Sequence, residues 1–330
     1  MLSRRVSRHS GVSSIDPLFT FGAVLLSVLL DLRFGEPPSA LHPVVGMGRY
    51  LGLKTRLPTL SPRASVRFVL GAVFVVFGAA FCTVLAWSVQ NALEPLPGLI
   101  ELTLLALFFK PFFSISALLR AGDTVRVALE GGKLPEARAL LSWHLVSRDT
   151  TQLKESEVAG AAVSSLAENL TDSIIAPLLY ASLFGFPGIV LYRFINTADA
   201  LLGYRTEALK HFGKLAARTD DLLNYVPARL TALLLLAVLG LQGKAVAPLW
   251  RGLRRDHSLT PSPNGGWTMA TVAHGLEIQL EKRGVYTLNP EGREAEAEDI
   301  LATQHLLSQV AALGLALYSL VILLVGIIRG

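Results

Sequence analysis

The chain has 330 residues, 52% of them hydrophobic and 17% charged, with a mean hydropathy of +0.49 and a net charge of +5. A soluble domain carries about 25% charged residues, so an ordinary soluble enzyme is excluded. The apolar runs are continuous rather than alternating, which argues against a β-barrel, and no basic tract interleaves with aromatics, which argues against a nucleic-acid partner. The class expected is an all-α, polytopic integral membrane protein with about four to six transmembrane or re-entrant helices and cytosolic loops. It reads as one membrane-embedded domain over 1–330, with the lipid bilayer as a partner. The single cysteine, Cys82, lies in an apolar run. It rules out an intrachain disulfide and a cysteine-built metal site, and reads as a small packing residue.

In chain order, the basic start MLSRRVSRHS leads into an apolar helix at 17–32. No small-x-small cleavage site follows, so this is read as a retained first helix. Residues 33–65 form a Pro- and Gly-rich polar loop, 66–90 a span, and 91–97 a turn. A further span at 98–119 is interrupted by Lys110-Pro111, where proline kinks or breaks a helix. Residues 120–157 read as a soluble insertion of two short amphipathic helices around Gly131-Gly132. Residues 158–170 are small and apolar, suited to close helix packing. Residues 173–192 contain Pro177, Gly185, Pro187 and Gly188 and read as a broken or hairpin segment. Residues 230–242 are apolar but short. Residues 243–305 form a second soluble insertion, with PSPNGGW at 261–267 and the acidic run EGREAEAED at 291–299. A final span covers 306–328.

The loops 33–67, 120–172, 193–229 and 244–305 hold 6, 6, 6 and 7 Lys or Arg, and the turn 91–97 holds none. The positive-inside rule then puts all four loops on the cytoplasmic face of the cell's inner or plasma membrane. That arrangement requires 173–192 and 230–242 to dip in and return. It leaves Arg4, Arg5 and Arg8 on the outer side, against the rule. If 173–192 crosses fully instead, the two loops richest in motifs lie on opposite faces and cannot share a site.

The densest charge lies between apolar segments at 192–229, with four acidic residues, six Lys or Arg and two Asn. Charge at such a place points to function. Glu168 and Asp172 are four apart and share a helix face. With Asn169 they offer oxygen ligands to Mg²⁺; the plainer role for Asp172 is a helix N-cap. Asn196 and Asp199 repeat the theme at a spacing of three, and Asp220, Asp221 and Asn224 repeat it again. Arg205, Lys214, Arg218 and Arg229 lie among them and suit phosphate capture, although each alone also serves as a positive-inside anchor. His42 sits in a proline-stiffened loop after Glu36. Ser262 and Asn264 belong to a loop whose free N–H groups suit a phosphate or carboxamide. No P-loop, HExxH or GxSxG sequence occurs. The residues alone indicate an intramembrane enzyme using Mg²⁺ and a phosphorylated substrate. A nucleotide-dependent ligase or transferase, a prenyltransferase-like enzyme and a proton-coupled transporter all remain open.

Four stretches carry a resemblance. They are LLDLRFGEPPSALHPVVGMGRYL at 29–51, SRDTTQLKESEVAGAAVSSLAENLTDSIIAPLLY at 147–180, the run from Gly185 to Leu235 containing INTADALLGYR and DDLLNYVPARL, and PSPNGGW at 261–267. In these the chain resembles the CobD/CbiB family of cobalamin-biosynthesis membrane enzymes, the adenosylcobinamide-phosphate synthases. It departs from the family pattern at Gly160, Ser164, Thr206 and Glu281-Lys282. The resemblance implies ATP-dependent amide ligation of adenosylcobyric acid, a corrinoid substrate, with (R)-1-aminopropan-2-ol phosphate or free aminopropanol. The expected cofactors are ATP and Mg²⁺, and the pathway implies cobalamin synthase as a partner in the same membrane. On this reading Asp199, Asp220 and Asp221 hold Mg-ATP. Glu168, Asp172, Asp199 and His42 are catalytic candidates. Asn169, Asn196, Tyr204, Arg205, Asn224, Arg229, Ser262 and Asn264 are binding candidates.

Overall fold

The computed structural model describes residues 17–55, 63–204, 206–207 and 209–329. Arg4, Arg5, Arg8 and Arg205 lie outside the described residues. The first helix, α1 (Pro17–Phe34), is followed by a short α2 (Pro43–Leu51) and a 30-residue α3 (Ala64–Leu93). The outer face of α3 is lined by exposed Val69, Val73, Val76, Phe77 and Phe81, as a lipid-facing helix requires. After the predicted turn, α4 (Gly98–Phe109) runs into a 3-10 turn at Lys110–Phe112 and restarts as α5 (Ile115–Glu130). The break falls at Pro111, which removes a backbone donor and clashes with the preceding turn. Helix α6 (Leu134–His144) follows Gly132, whose φ of +67° closes the intervening turn.

The centre of the molecule is α7 (Glu155–Leu170), a π-helical turn at Thr171–Ile175, and α8 (Ala176–Leu202). All of 158–167 on α7 is buried, and the small residues predicted there let neighbouring helices close in. Gly185 has φ +65° and ψ −148° inside α8, a conformation open essentially to glycine alone. The chain reverses there. Tyr180 and Tyr192 stack at 5.0 Å, and Asn196 reaches back to Asp172. The segment 173–192 is thus a hairpin, and the motifs before and after it meet at one end.

The chain continues as α9 (Leu209–Phe212), α10 (Lys214–Leu223) and α11 (Tyr225–Leu241). Helices α10 and α11 meet at a bend of 42° and together have the length and apolarity of one span, so the short 230–242 segment is the end of a longer broken element. The second insertion is more ordered than a loop. It contains α12 (Val246–Asp256), the buried α13 (Gly265–Leu276) and a small antiparallel hairpin, β1 (Leu280–Lys282) with β2 (Tyr286–Leu288). These two strands are the departure from an all-α fold. The last helix, α14 (Ala297–Arg329), begins earlier than expected because Asp299 accepts from the Glu296 N–H at 2.8 Å and pairs with Arg293 at 2.7 Å. The acidic run at 291–299 therefore caps a helix. Four described helical stretches, Ala64–Leu93, Gly98–Glu130, Glu155–Leu202 and Ala297–Leu320, are long and apolar enough to cross a membrane, or five with the bent pair. The fold is that of an all-α polytopic membrane protein.

A buried carboxylate ties the second insertion together. Asp256, its side chain 2% exposed, accepts from Arg255 Nε, His274 Nε2 and the Asn289 N–H, each at 2.8 Å. Burial alone pushes this carboxyl up. The bonds from Arg255, Asn289 and His274 outweigh that push and hold it below its ordinary 3.8.

Candidate functional site

Five carboxylates face one small pocket of about 150 Å³: Glu168, Asp172, Asp199, Asp220 and Asp221. Glu168 comes from the last turn of α7 and Asp172 from the π-helical turn. Such turns insert a residue into a helix and are frequent at functional sites. Thr171 in that turn donates to Thr231 of α11 at 3.1 Å, which fixes the turn against the bent helix pair. Asp199 comes from the return limb of the hairpin, and Asp220 and Asp221 from α10. No Lys or Arg among the described residues lines this pocket.

Asparagine amides hold the acids in place. Asn196 Nδ2 donates to Asp172 Oδ2 at 3.3 Å and to Asp220 Oδ1 at 3.2 Å. Asn224 Nδ2 donates to Asp220 Oδ2 at 3.0 Å, and its own Oδ1 accepts from the Tyr192 hydroxyl at 2.9 Å. Asn264 Nδ2 donates to the Asp221 carbonyl at 2.8 Å. The amides predicted at 196 and 224 therefore orient the Asp172 and Asp220 carboxylates, and that at 264 anchors the Asp221 backbone. Asn169 instead turns back to the Ser165 carbonyl at 2.9 Å and lines neither cavity.

The pocket adjoins a larger cavity of about 840 Å³, and Asp221 and Ser262 line both. Here the sign of the charge reverses. Lys210, Lys214, Arg218 and Arg229 line this outer cavity, with His211 and His257. Arg229 is immobilised by its guanidinium lying 3.5 Å over the Tyr225 ring and 4.8 Å from Trp267, and by donating to Asn264 Oδ1 at 3.0 Å. The PSPNGGW loop is the partition. Ser262 Oγ accepts from the N–H groups of Asn264 and Gly265, each at 3.2 Å. A Cβ on Gly265 would stand 2.6 Å from Glu168 Oε1, and one on Gly266 would stand 2.0 Å from the His257 carbonyl. Only glycine allows the loop this close to both walls.

His42 is placed elsewhere. It caps α2, accepting from the Val44 N–H at 3.2 Å, and its Nε2 meets Glu36 at 2.9 Å. Burial pushes the Glu36 carboxyl up, and His42, Ser114 and the Lys110 ammonium together bring it below its ordinary value. A residue that the sequence reading missed links this first loop to the acids. Arg193 donates to the Asp172 carbonyl at 3.2 Å and to Ser114 Oγ at 3.3 Å, spanning the breaks of two helices. Tyr204 is exposed beside Gly203, which lines the outer cavity.

The residues fit a magnesium ion. Five hard oxygen donors crowd a pocket with no basic lining residue. No three His, Cys, Asp or Glu among the described residues enclose an ion by themselves. Magnesium is commonly held that way, by one or two carboxylates together with substrate phosphates and water.

A family model described as CobD/Cbib protein matches residues 24–312. Among curated proteins, the chain is similar to the cobalamin biosynthesis protein CobD of Dehalococcoides mccartyi (39% identical over 269 residues, 82% of this chain and 86% of that one). It is also similar to the probable cobalamin biosynthesis proteins CobD of Methanothermobacter thermautotrophicus (39% over 265 residues, 80% and 85%) and Methanothrix thermoacetophila (32% over 321 residues, 94% and 99%). No solved structure matches it. On the extent of these matches, this chain belongs to the CobD/Cbib protein family.

Proposed function

We propose that this chain is a membrane enzyme of cobalamin biosynthesis that joins a carboxylate of adenosylcobyric acid to the amine of (R)-1-aminopropan-2-ol phosphate or of free aminopropanol, using ATP. The product is adenosylcobinamide phosphate, or adenosylcobinamide from the free amine. The observation that carries this reading is an acidic pocket beside a basic cavity, with Asp221 and Ser262 lining both. An amide ligation of this kind needs both, because its phosphorylated reactants are anionic and must be brought beside a centre that tolerates transferring phosphate.

In this reading one or two of Asp199, Asp220 and Asp221 would hold magnesium together with the nucleotide's phosphates, and Glu168 and Asp172 would hold a second ion. Bound magnesium neutralises phosphate charge and favours transfer to the substrate carboxylate. The chain's own groups do the rest. Asn196 and Asn224 keep Asp172 and Asp220 at fixed separation. Lys210, Lys214, Arg218 and Arg229 attract and orient phosphate oxygens. Arg229 suits this task because its plane is already fixed by Tyr225 and Asn264. The loops that carry the site face the cytoplasm, where ATP is found.

The test is reconstitution. Purified full-length chain receives ATP, Mg²⁺, adenosylcobyric acid and the amine phosphate. Amide product is expected. Its absence with every component present, or its formation without ATP, contradicts the proposal. Release of diphosphate without ATP use would identify the prenyltransferase-like alternative.

A further inference from the structure

His257 closes the C-terminal end of α12 and lines the outer cavity beside Ser258, Thr260 and Ser262. Its Nδ1 lies 3.2 Å from the carbonyl oxygens of Leu253 and Arg254. Carbonyls only accept, so Nδ1 carries the proton. In the neutral ring Nε2 is then the acceptor. It has no protein partner among the described residues, and it is not among the buried atoms left unsatisfied. The ring is fixed as well as polarised. It packs against Trp267 at 4.5 Å, and its backbone carbonyl is overlain by Gly266. The charged groups that share its cavity are Lys210, His211, Lys214, Arg218, Asp221 and Arg229. Among them an imidazole whose Nδ1 is tied to the backbone is suited, in its neutral form, to take a proton at Nε2 from a cationic nucleophile.

We infer that His257 is the proton acceptor for the amine in the ligation step. This rests on the ligase reading above. The amine nitrogen attacks the carbonyl carbon of the acyl phosphate formed from the corrinoid carboxylate and the nucleotide. The C–N bond forms, and the bond from the carbonyl carbon to the phosphate oxygen breaks. Before attack the ammonium gives one proton to Nε2, and as the amide forms phosphate leaves with the electron pair and takes up the second proton shed by nitrogen.

The backbone bonds of Nδ1 also describe a plain helix cap, and the experiment separates the two roles. In His257→Asn the side-chain amide can still donate to the α12 carbonyls, while Nε2 is lost. His257→Gln supplies a second variant with a polar group in place of the ring. Full-length wild type and both variants are assayed with the amine phosphate and, separately, with hydroxylamine, a nucleophile already unprotonated at neutral pH. Amide formation by His257→Asn is expected to fall about 10²-fold or more in kcat, with KM for the amine little changed. Hydroxamate formation should stay within a few-fold of wild type, and added imidazole should restore part of the amide rate. Equal loss of both products, or an unchanged amide rate, overturns the assignment and leaves His257 a cap. If wild type forms neither amide nor hydroxamate, the ligase reading itself fails and the assignment falls with it.

Discussion

At the scale of single residues, the site is a set of acids held apart by amides. Asn196 bridges Asp172 and Asp220 from the opposite limb of the hairpin, so its truncation should disturb both. Asn196→Ala is expected to lower ligation about 10- to 100-fold and to raise the Mg²⁺ needed for half-maximal rate, as loss of an orienting partner does. A loss of rate with an unchanged Mg²⁺ titration would place Asn196 outside ion binding. Asp220→Asn should abolish ligation with the fold retained in a thermal melt; unchanged activity would remove Asp220 from the site. The Asp220–Asn224 pairing was readable because residues four apart share a helix face, whereas Asn196 bonds acids 24 residues away in either direction and not its neighbour Asp199. Asn169 faces away from the acids, since one residue beyond Glu168 turns about a quarter of the way round the helix. Arg193 could not have been read at all. Its partners Ser114 and Asp172 are 79 and 21 residues away, and no local pattern announces them.

At the scale of elements, the hairpin and the glycine loop place the chemistry. Gly185, Pro187 and Gly188 marked the break in the sequence, and Gly185 adopts a backbone that side chains resist. Gly185→Ala should cost on the order of 1–3 kcal/mol through strain at that position. A lowered melting temperature and reduced ligation are the expected readouts; a variant as stable and active as wild type would show that the reversal does not depend on glycine. The β-hairpin at 280–288 went unread, although Gly284 with φ +70° sits in a three-residue connection between short apolar-polar runs, a pattern that favours a hairpin. The junction of α12, α13 and β2 is held by Asp256. Because its carboxyl is held below 3.8 in the folded chain, its stabilisation is complete above that value and is lost as pH falls through the folded value. Melting temperature should therefore drop as pH is lowered from about 5 to about 3. Asp256→Asn should melt lower at neutral pH and show a flatter profile; a variant with the wild-type profile would exclude Asp256 as the source.

At the scale of the whole molecule, the composition announced a helical membrane protein, as the fold bears out, and the motifs carry the proposed phosphate chemistry. The union of the two cavities had to come from the fold, because it depends on α7, α8, α10 and the loop before α13 converging across nearly 100 residues of chain. The proposed cytoplasmic placement of these loops has a direct check. With Cys82 replaced, single cysteines at the exposed positions Lys133 and Ser258 should label from the cytoplasmic face only; labelling of Ser258→Cys from outside would contradict a site fed by cytosolic ATP. The central claim is that a carboxylate is activated by phosphate at the junction of acidic pocket and basic cavity. It is tested most directly by labelling the reacting carboxylate of adenosylcobyric acid with a heavy oxygen isotope and analysing the phosphate released during turnover. One labelled oxygen in the phosphate is expected for each amide formed. Amide formation with unlabelled phosphate would contradict it.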